Sequence, residues 1–126
     1  MPRGSIAVGL LVAFLLITSP AQGQKAAEQF IPIGQSPGLS RIFTDIAAIA
    51  EVDADARTIT LPVAGGRSVK VTEATKIWLD RSKVRQTNLV GRFEDLRVGL
   101  QVEVKYEDSQ RRETAEWIKV APQSAD

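Results

Sequence analysis

The side chains able to do chemistry are few in kind. The chain has no histidine and no cysteine, and its single methionine is Met1. Metal sites built on soft ligands and nucleophilic catalysis of the Ser/His or Cys/His type therefore lack their essential residues. Two carboxylates can still act as acid and base, and Glu94-Asp95 is the adjacent pair that invites this reading. Acids early in a helical turn are equally well explained by the turn's dipole, so we assign no catalytic residue. Asp53 and Asp55 in VDADAR start like a calcium loop, but Ala56 and Arg57 follow where further oxygens and a glycine are needed. They read as turn formers, and neither a metal nor a cofactor is implied.

What remains is binding chemistry. Lys76, Arg81, Lys83, Arg85, Arg92 and Arg97 make a locally basic region, interrupted by Asp80, Glu94 and Asp95. Trp78 and Trp117 are the residues best suited to contact a ligand. By strand period each points away from its apolar neighbours, Ile77 and Leu79 in one case, Ile118 and Val120 in the other. Two outward tryptophans offer a flat surface to a sugar, a peptide or a protein. A bulge in TAEWIKV, or the arm Phe30–Ile33 folding across them, turns the same residues into ordinary packing, which is the reading we favour. The candidate ligand- or partner-binding set is Trp78, Trp117, Lys76, Arg81, Lys83, Arg85 and Arg92.

The elements that must position these residues are strands. Leu100, Val102, Val104 and Tyr106 alternate with Gln101, Glu103, Lys105 and Glu107, which predicts a strand with one buried and one wet face. Before it, Phe93 and Leu96 lie three apart with Gly99 after them, which predicts a helical turn closed in a left-handed conformation. Further strands are predicted at Arg57–Val63, Arg67–Thr72, Thr75–Asp80 and Thr114–Val120, with turns at Gly65-Gly66 and Asp108–Arg112. Pro62 lacks a donor and belongs at an edge. Arg81–Val90 is polar and aperiodic and reads as the longest loop.

Arg41–Asp53 is ambiguous. Ile42, Ile46 and Ile49 have helical spacing, yet the segment runs into the β-branched Thr58-Ile59-Thr60-Leu61. We read a strand whose bulge near Ala50 and Glu51 brings Ile49 and Val52 to the same face and bends the chain. Gln24–Ser40 has two prolines and two glycines and reads as an extended arm whose Phe30, Ile31 and Ile33 dock on the domain.

The first residues look like an export leader. Arg3 precedes the apolar run Ile6–Ile17, and small residues at Ala21 and Gly23 suit cleavage before Gln24, with Ser19 and Ala21 offering a second position. The run is shorter than the roughly 20 residues of a spanning helix, so no membrane span is expected once residues 1–23 are gone. The chain of 126 residues carries 16 basic and 15 acidic side chains. Arg3 is the only charge in the leader, so the remainder is neutral, which argues against nonspecific attraction to nucleic acid or anionic lipid. About a hundred residues suffice for one core without disulfides.

The pieces IAEVDADARTITL (Ile49–Leu61), VTEATKIWL (Val71–Leu79), FEDLRVGLQVEV (Phe93–Val104) and WIKV (Trp117–Val120) resemble, in their order, small exported bacterial β-barrel domains of unknown function. Ala47 departs from that pattern, which usually has a glycine there. The resemblance implies an OB-like fold and a periplasmic location, and carries no activity. The layout is also similar to periplasmic copper-binding small barrels, whose histidine and methionine ligands this chain lacks after residue 1.

The expectation is an all-β protein, a small OB-like antiparallel barrel of five or six strands with one short helical turn. It spans residues 41–120, after an arm at 24–40 and before a tail at 121–126. The expected role is non-enzymatic: a periplasmic or secreted domain that binds an envelope protein, a glycan or another envelope polymer, or a small anion. A carboxylate-dependent hydrolase and an oligonucleotide-binding domain are the alternatives.

Overall fold

A computed structural model describes residues 27–122. The segment expected to be an export leader, with its expected cleavage positions, and the tail beyond Pro122 lie outside the described residues. The described residues form eight strands in two sheets, with three 3-10 turns as their only named helical elements. In chain order the strands are β1 (Thr44–Ala48), β2 (Glu51–Asp53), β3 (Thr58–Leu61), β4 (Arg67–Lys70), β5 (Lys76–Leu79), β6 (Leu89–Val90), β7 (Gln101–Tyr106) and β8 (Ala115–Val120). The larger sheet has the order β1-β7-β8-β5-β6 and the smaller β2-β3-β4.

β1 and β2 are one bent strand that serves both sheets. The Ile49 amide donates to Leu100 O at 2.9 Å and the next amide, of Ala50, to Thr60 O at 2.8 Å. Consecutive donors thus point to opposite sides, which carries the chain from β7 to β3. The expected bulge follows from this: Ile49 is buried and Val52, three residues on, packs against the same core. At the far side Lys70 makes a parallel bridge with Thr114, and its amide donates to Glu113 O at 2.8 Å, so β4 approaches the start of β8.

The core lies between the sheets. Ile59, Leu61, Val69, Val102, Val104, Ile118 and Val120 are fully buried, each on the inward set of its strand. The 3-10 turn Phe93–Asp95 plugs one end with Phe93 and Leu96, and Arg57 lies 4.9 Å from the centre of the Phe93 ring. Gly99 ends this passage at φ 92°, the left-handed conformation the spacing predicted.

Three features differ from the sequence reading. The sheet is mixed, since β5 and β8 run parallel; the long connection from β5 to β7 allows that, where a hairpin does not. The Arg81–Val90 loop contains a 3-10 turn, Ser82–Val84, and the strand β6, too short to show a period. The face of β7 read as wet is not: Glu103 is fully buried.

Candidate functional site

The outer face of the larger sheet carries the polar chemistry. Cross-strand partners point to one side of a sheet, and Glu103 pairs with Lys119 while Lys76 pairs with Trp117 and Trp78 with Lys119. Residues 27–43 fold across this face through the 3-10 turn Glu28–Phe30 and the turns that follow it. Ile31 and Ile33 are half-buried in that contact, whereas Phe30 remains 56% exposed.

Under this arm lies a closed polar network that the sequence did not reveal. Lys119 Nζ donates to Glu28 Oε1 at 2.8 Å and to Ser36 Oγ at 3.2 Å, and Ser36 Oγ in turn donates to Glu28. Glu103 accepts from the Gly34 amide at 2.9 Å, Ser40 Oγ at 2.6 Å and Thr44 Oγ1 at 2.8 Å. Lys119 also stands 4.6 Å from the centre of the Trp117 ring. Asp80, at the end of β5, accepts from the Ile33 amide at 2.9 Å and the Ser82 amide at 3.0 Å. Burial alone raises its pKa, but those hydrogen bonds and the Lys119 charge outweigh it and hold the carboxyl below the usual range. Among the described residues no buried side-chain nitrogen or oxygen lacks a partner.

A second cluster sits beside β1. Asp45 accepts from Arg67, from Arg112 Nη1 at 2.7 Å and from the Tyr106 hydroxyl at 2.8 Å. Burial of the phenol, reinforced by the Asp45 charge, raises the Tyr106 pKa. Burial disfavours the Arg67 cation, but Asp45 more than compensates and raises its pKa. All these groups are spoken for by one another, which suits bracing of the β1 and β7–β8 ends.

The two tryptophans do share the outer face, with ring centroids 5.7 Å apart and planes at 36°. They do not form an open surface. Trp117 is only 4% exposed. Trp78 is half-buried and lines a cleft of about 440 Å³ with Gln29, Lys76, Val90 and Gly91, and with Glu73 and Thr75 at its rim. No protein-family model, no curated protein and no solved structure matches this chain. The geometry alone must speak.

The basic residues divide by environment. Arg81 braces its loop: its amide donates to Asn88 Oδ1 at 2.8 Å and its Nε to Thr87 O at 2.8 Å. Asn88 is buried and donates to Gln29 O at 2.9 Å, which ties the start of β6 to the arm. Lys76, Lys83, Arg85 and Arg92 are exposed around β6. Arg92 also opens the turn at Phe93–Asp95, its amide donating to Asp95 Oδ2 at 2.7 Å. Arg97 lies past that turn, with its Nε on Glu94 O at 3.4 Å. The structure thus brings Trp78 and Lys76 beside Val90 in one cleft, with Lys83 and Arg85 in the loop before β6 and Arg92 just after it, and removes Trp117 from that surface.

The edge itself was missed. Val90 is 72% and Leu89 46% exposed, and β6 is the last strand of its sheet. The pair Leu89-Val90 inside a polar stretch was the available signal. Among the described residues no group of three or more acidic side chains is gathered to hold a metal ion, and no helix is long and apolar enough to cross a membrane.

Proposed function

We propose that this chain is an exported, non-enzymatic binding module built on an OB-like barrel, whose contact surface is the cleft beside Trp78 and the adjoining edge strand β6. The strand circuit supports the barrel reading: the bent β1–β2 is shared by both sheets, and β4 comes back against β8 through the Lys70–Thr114 bridge. Export rests on the apolar run Ile6–Ile17 and the small residues Ala21 and Gly23. The non-enzymatic reading is supported by how the carboxylates are used. Glu28 is engaged by Lys119, Asp45 by two guanidinium groups and Glu103 by three donors, which leaves Glu73 as the single carboxylate lining the cleft, without a second acid beside it there.

One observation carries the reading: a half-buried tryptophan opens into a cleft, lined also by the exposed Lys76, beside a 72% exposed valine on a terminal strand whose flanking segments carry the exposed Lys83, Arg85 and Arg92. Apolar groups of that kind on a domain surface mark contact sites. The test is a photoreactive residue at Val90 and, as a control, at Ser68 on the opposite sheet, used in cell-envelope preparations. A discrete crosslinked product from position 90 alone is expected. Identical patterns from both positions, or none from 90, defeat the proposal.

A further inference from the structure

The geometry points to the occupant of that edge: we infer that β6 accepts an extended, acidic segment of a partner protein as an additional strand of the sheet. The inference rests on the binding-module reading and adds to it the chemical class of the ligand.

A terminal strand presents unpaired backbone groups along its outer side; in the two-residue β6 these are the Val90 amide and carbonyl, since the register turns those of Leu89 toward β5. Here β5 lies on one side of β6, and no strand of the described residues lies on the other. The edge residues are leucine and valine, with Val84 also half exposed at 50%. The register fixes what an added strand meets. Val90 pairs with Trp78 and Leu89 with Leu79, so successive side chains of β6 face opposite sides of the sheet. A further strand places one set of its side chains toward Trp78 and Lys76 and the other set beside Leu89. Backbone bonds supply affinity and alternate side chains supply selectivity in this mode of recognition.

The edge is also held ready. Asn88 is anchored to Arg81 and to Gln29, and the Gly91 amide donates to Ile77 O at 2.7 Å. Gly91 packs against β5 so closely that an added Cβ would stand 2.9 Å from Leu79 Cδ2. Little ordering is left to be done on binding.

Charge selects the partner. Lys76, Lys83, Arg85 and Arg92 are exposed around the strand. Of the nearby acids, Asp80 is buried and bonded to Ile33 and Ser82, and Asp95 is engaged by the Arg92 amide, which leaves Glu73 and Glu94 exposed. Pairing of two copies edge to edge brings like charges together, whereas an acidic strand is drawn in. A nucleic-acid strand satisfies the bases but leaves the apolar pair and the backbone edge without partners.

The experiment uses the purified protein and three blocked ten-residue probes, (Glu-Val)5, (Thr-Val)5 and (Lys-Val)5, with an oligothymidylate for comparison. Affinity is measured by titration calorimetry and the footprint by amide hydrogen exchange. The acidic probe is expected to bind at least about tenfold more tightly than the neutral one, and the basic probe not to bind. New protection is expected at the Val90 amide, which faces away from β5. Reversing Lys83 and Arg85 to glutamate, both exposed loop residues, should cost the acidic probe about tenfold or more. Equal binding of acidic and neutral probes overturns the acidic class. Absence of peptide binding, while position 90 still crosslinks to a partner, overturns strand addition and leaves the binding module standing. Tighter binding of the oligothymidylate, or a concentration-dependent dimer that competes with the probe, likewise overturns the inference.

Discussion

The two faces of the β1-β7-β8-β5-β6 sheet are both closed to water at their centre, yet by opposite chemistry. On the inner face Val102, Val104, Ile118 and Val120 are fully buried against other apolar groups. One residue away in each strand, Glu103 and Lys119 are just as completely buried on the outer face, under the arm. Apolar burial is non-directional and tolerates changes that keep volume. A buried charge tolerates far less, because its desolvation is repaid only while every partner is in place. The inner face gives the sheet cohesion. The outer face fixes where the arm goes.

That contrast can be broken most severely at Lys119. Lys119→Met keeps the length of the side chain but leaves the buried Glu28 carboxylate without its cation and Ser36 Oγ without its donor, and should destabilise by about 3–5 kcal/mol in chemical denaturation. Changing Glu28→Met in the same chain should recover much of the loss; a double variant as unstable as the sum of the singles would show that the network is not a unit. Glu103→Gln keeps the shape and weakens three accepted hydrogen bonds, at a cost of about 1–3 kcal/mol. On the inner face Ile118→Val, one methylene smaller, should cost about 0.5–1.5 kcal/mol. If it costs more than Lys119→Met, the comparison is mistaken.

Acid sharpens the same contrast. The Asp80 carboxyl is depressed in the folded state, so its stabilisation is complete above the unfolded value of about 3.9 and disappears as pH falls through the lower folded value. The unfolding midpoint should therefore fall more steeply below pH about 4 in the natural chain than in Asp80→Asn. The smallest effect belongs to the solvent-facing pair Lys105–Glu116, 3.0 Å apart with side chains 24% and 34% exposed. Lys105→Ala should change stability by less than about 1 kcal/mol.

The inner face was readable in the sequence because period-two alternation records it directly. Val102-x-Val104-x-Tyr106, Ile59-x-Leu61 and Val69-x-Val71 all point as expected, and the three-residue step from Ile49 to Val52 exposed the bend between the sheets. The outer face was not readable. A glutamate between two valines looks the same whether water or an arm lies over it. The groups that cover Glu103 and Lys119 come from residues 28–44, and hydrogen bonds joining residues 28 and 119 leave no local trace. The facing of Trp78 and Trp117 was legible from strand period, and so was packing in place of an open surface; that Trp117 is buried while Trp78 stays half open was not. The edge strand β6 escaped because two residues define no period.

The pairing of Glu28 with Lys119 also sets an order of events. The glutamate is made 91 residues before the lysine, so its carboxylate must wait without a cation until β8 has been synthesised. Contacts this remote in sequence are slow to form. A chain stopped ten residues short of Val120 would keep Glu103 for Gly34 and Ser40 but would offer Glu28 no cation.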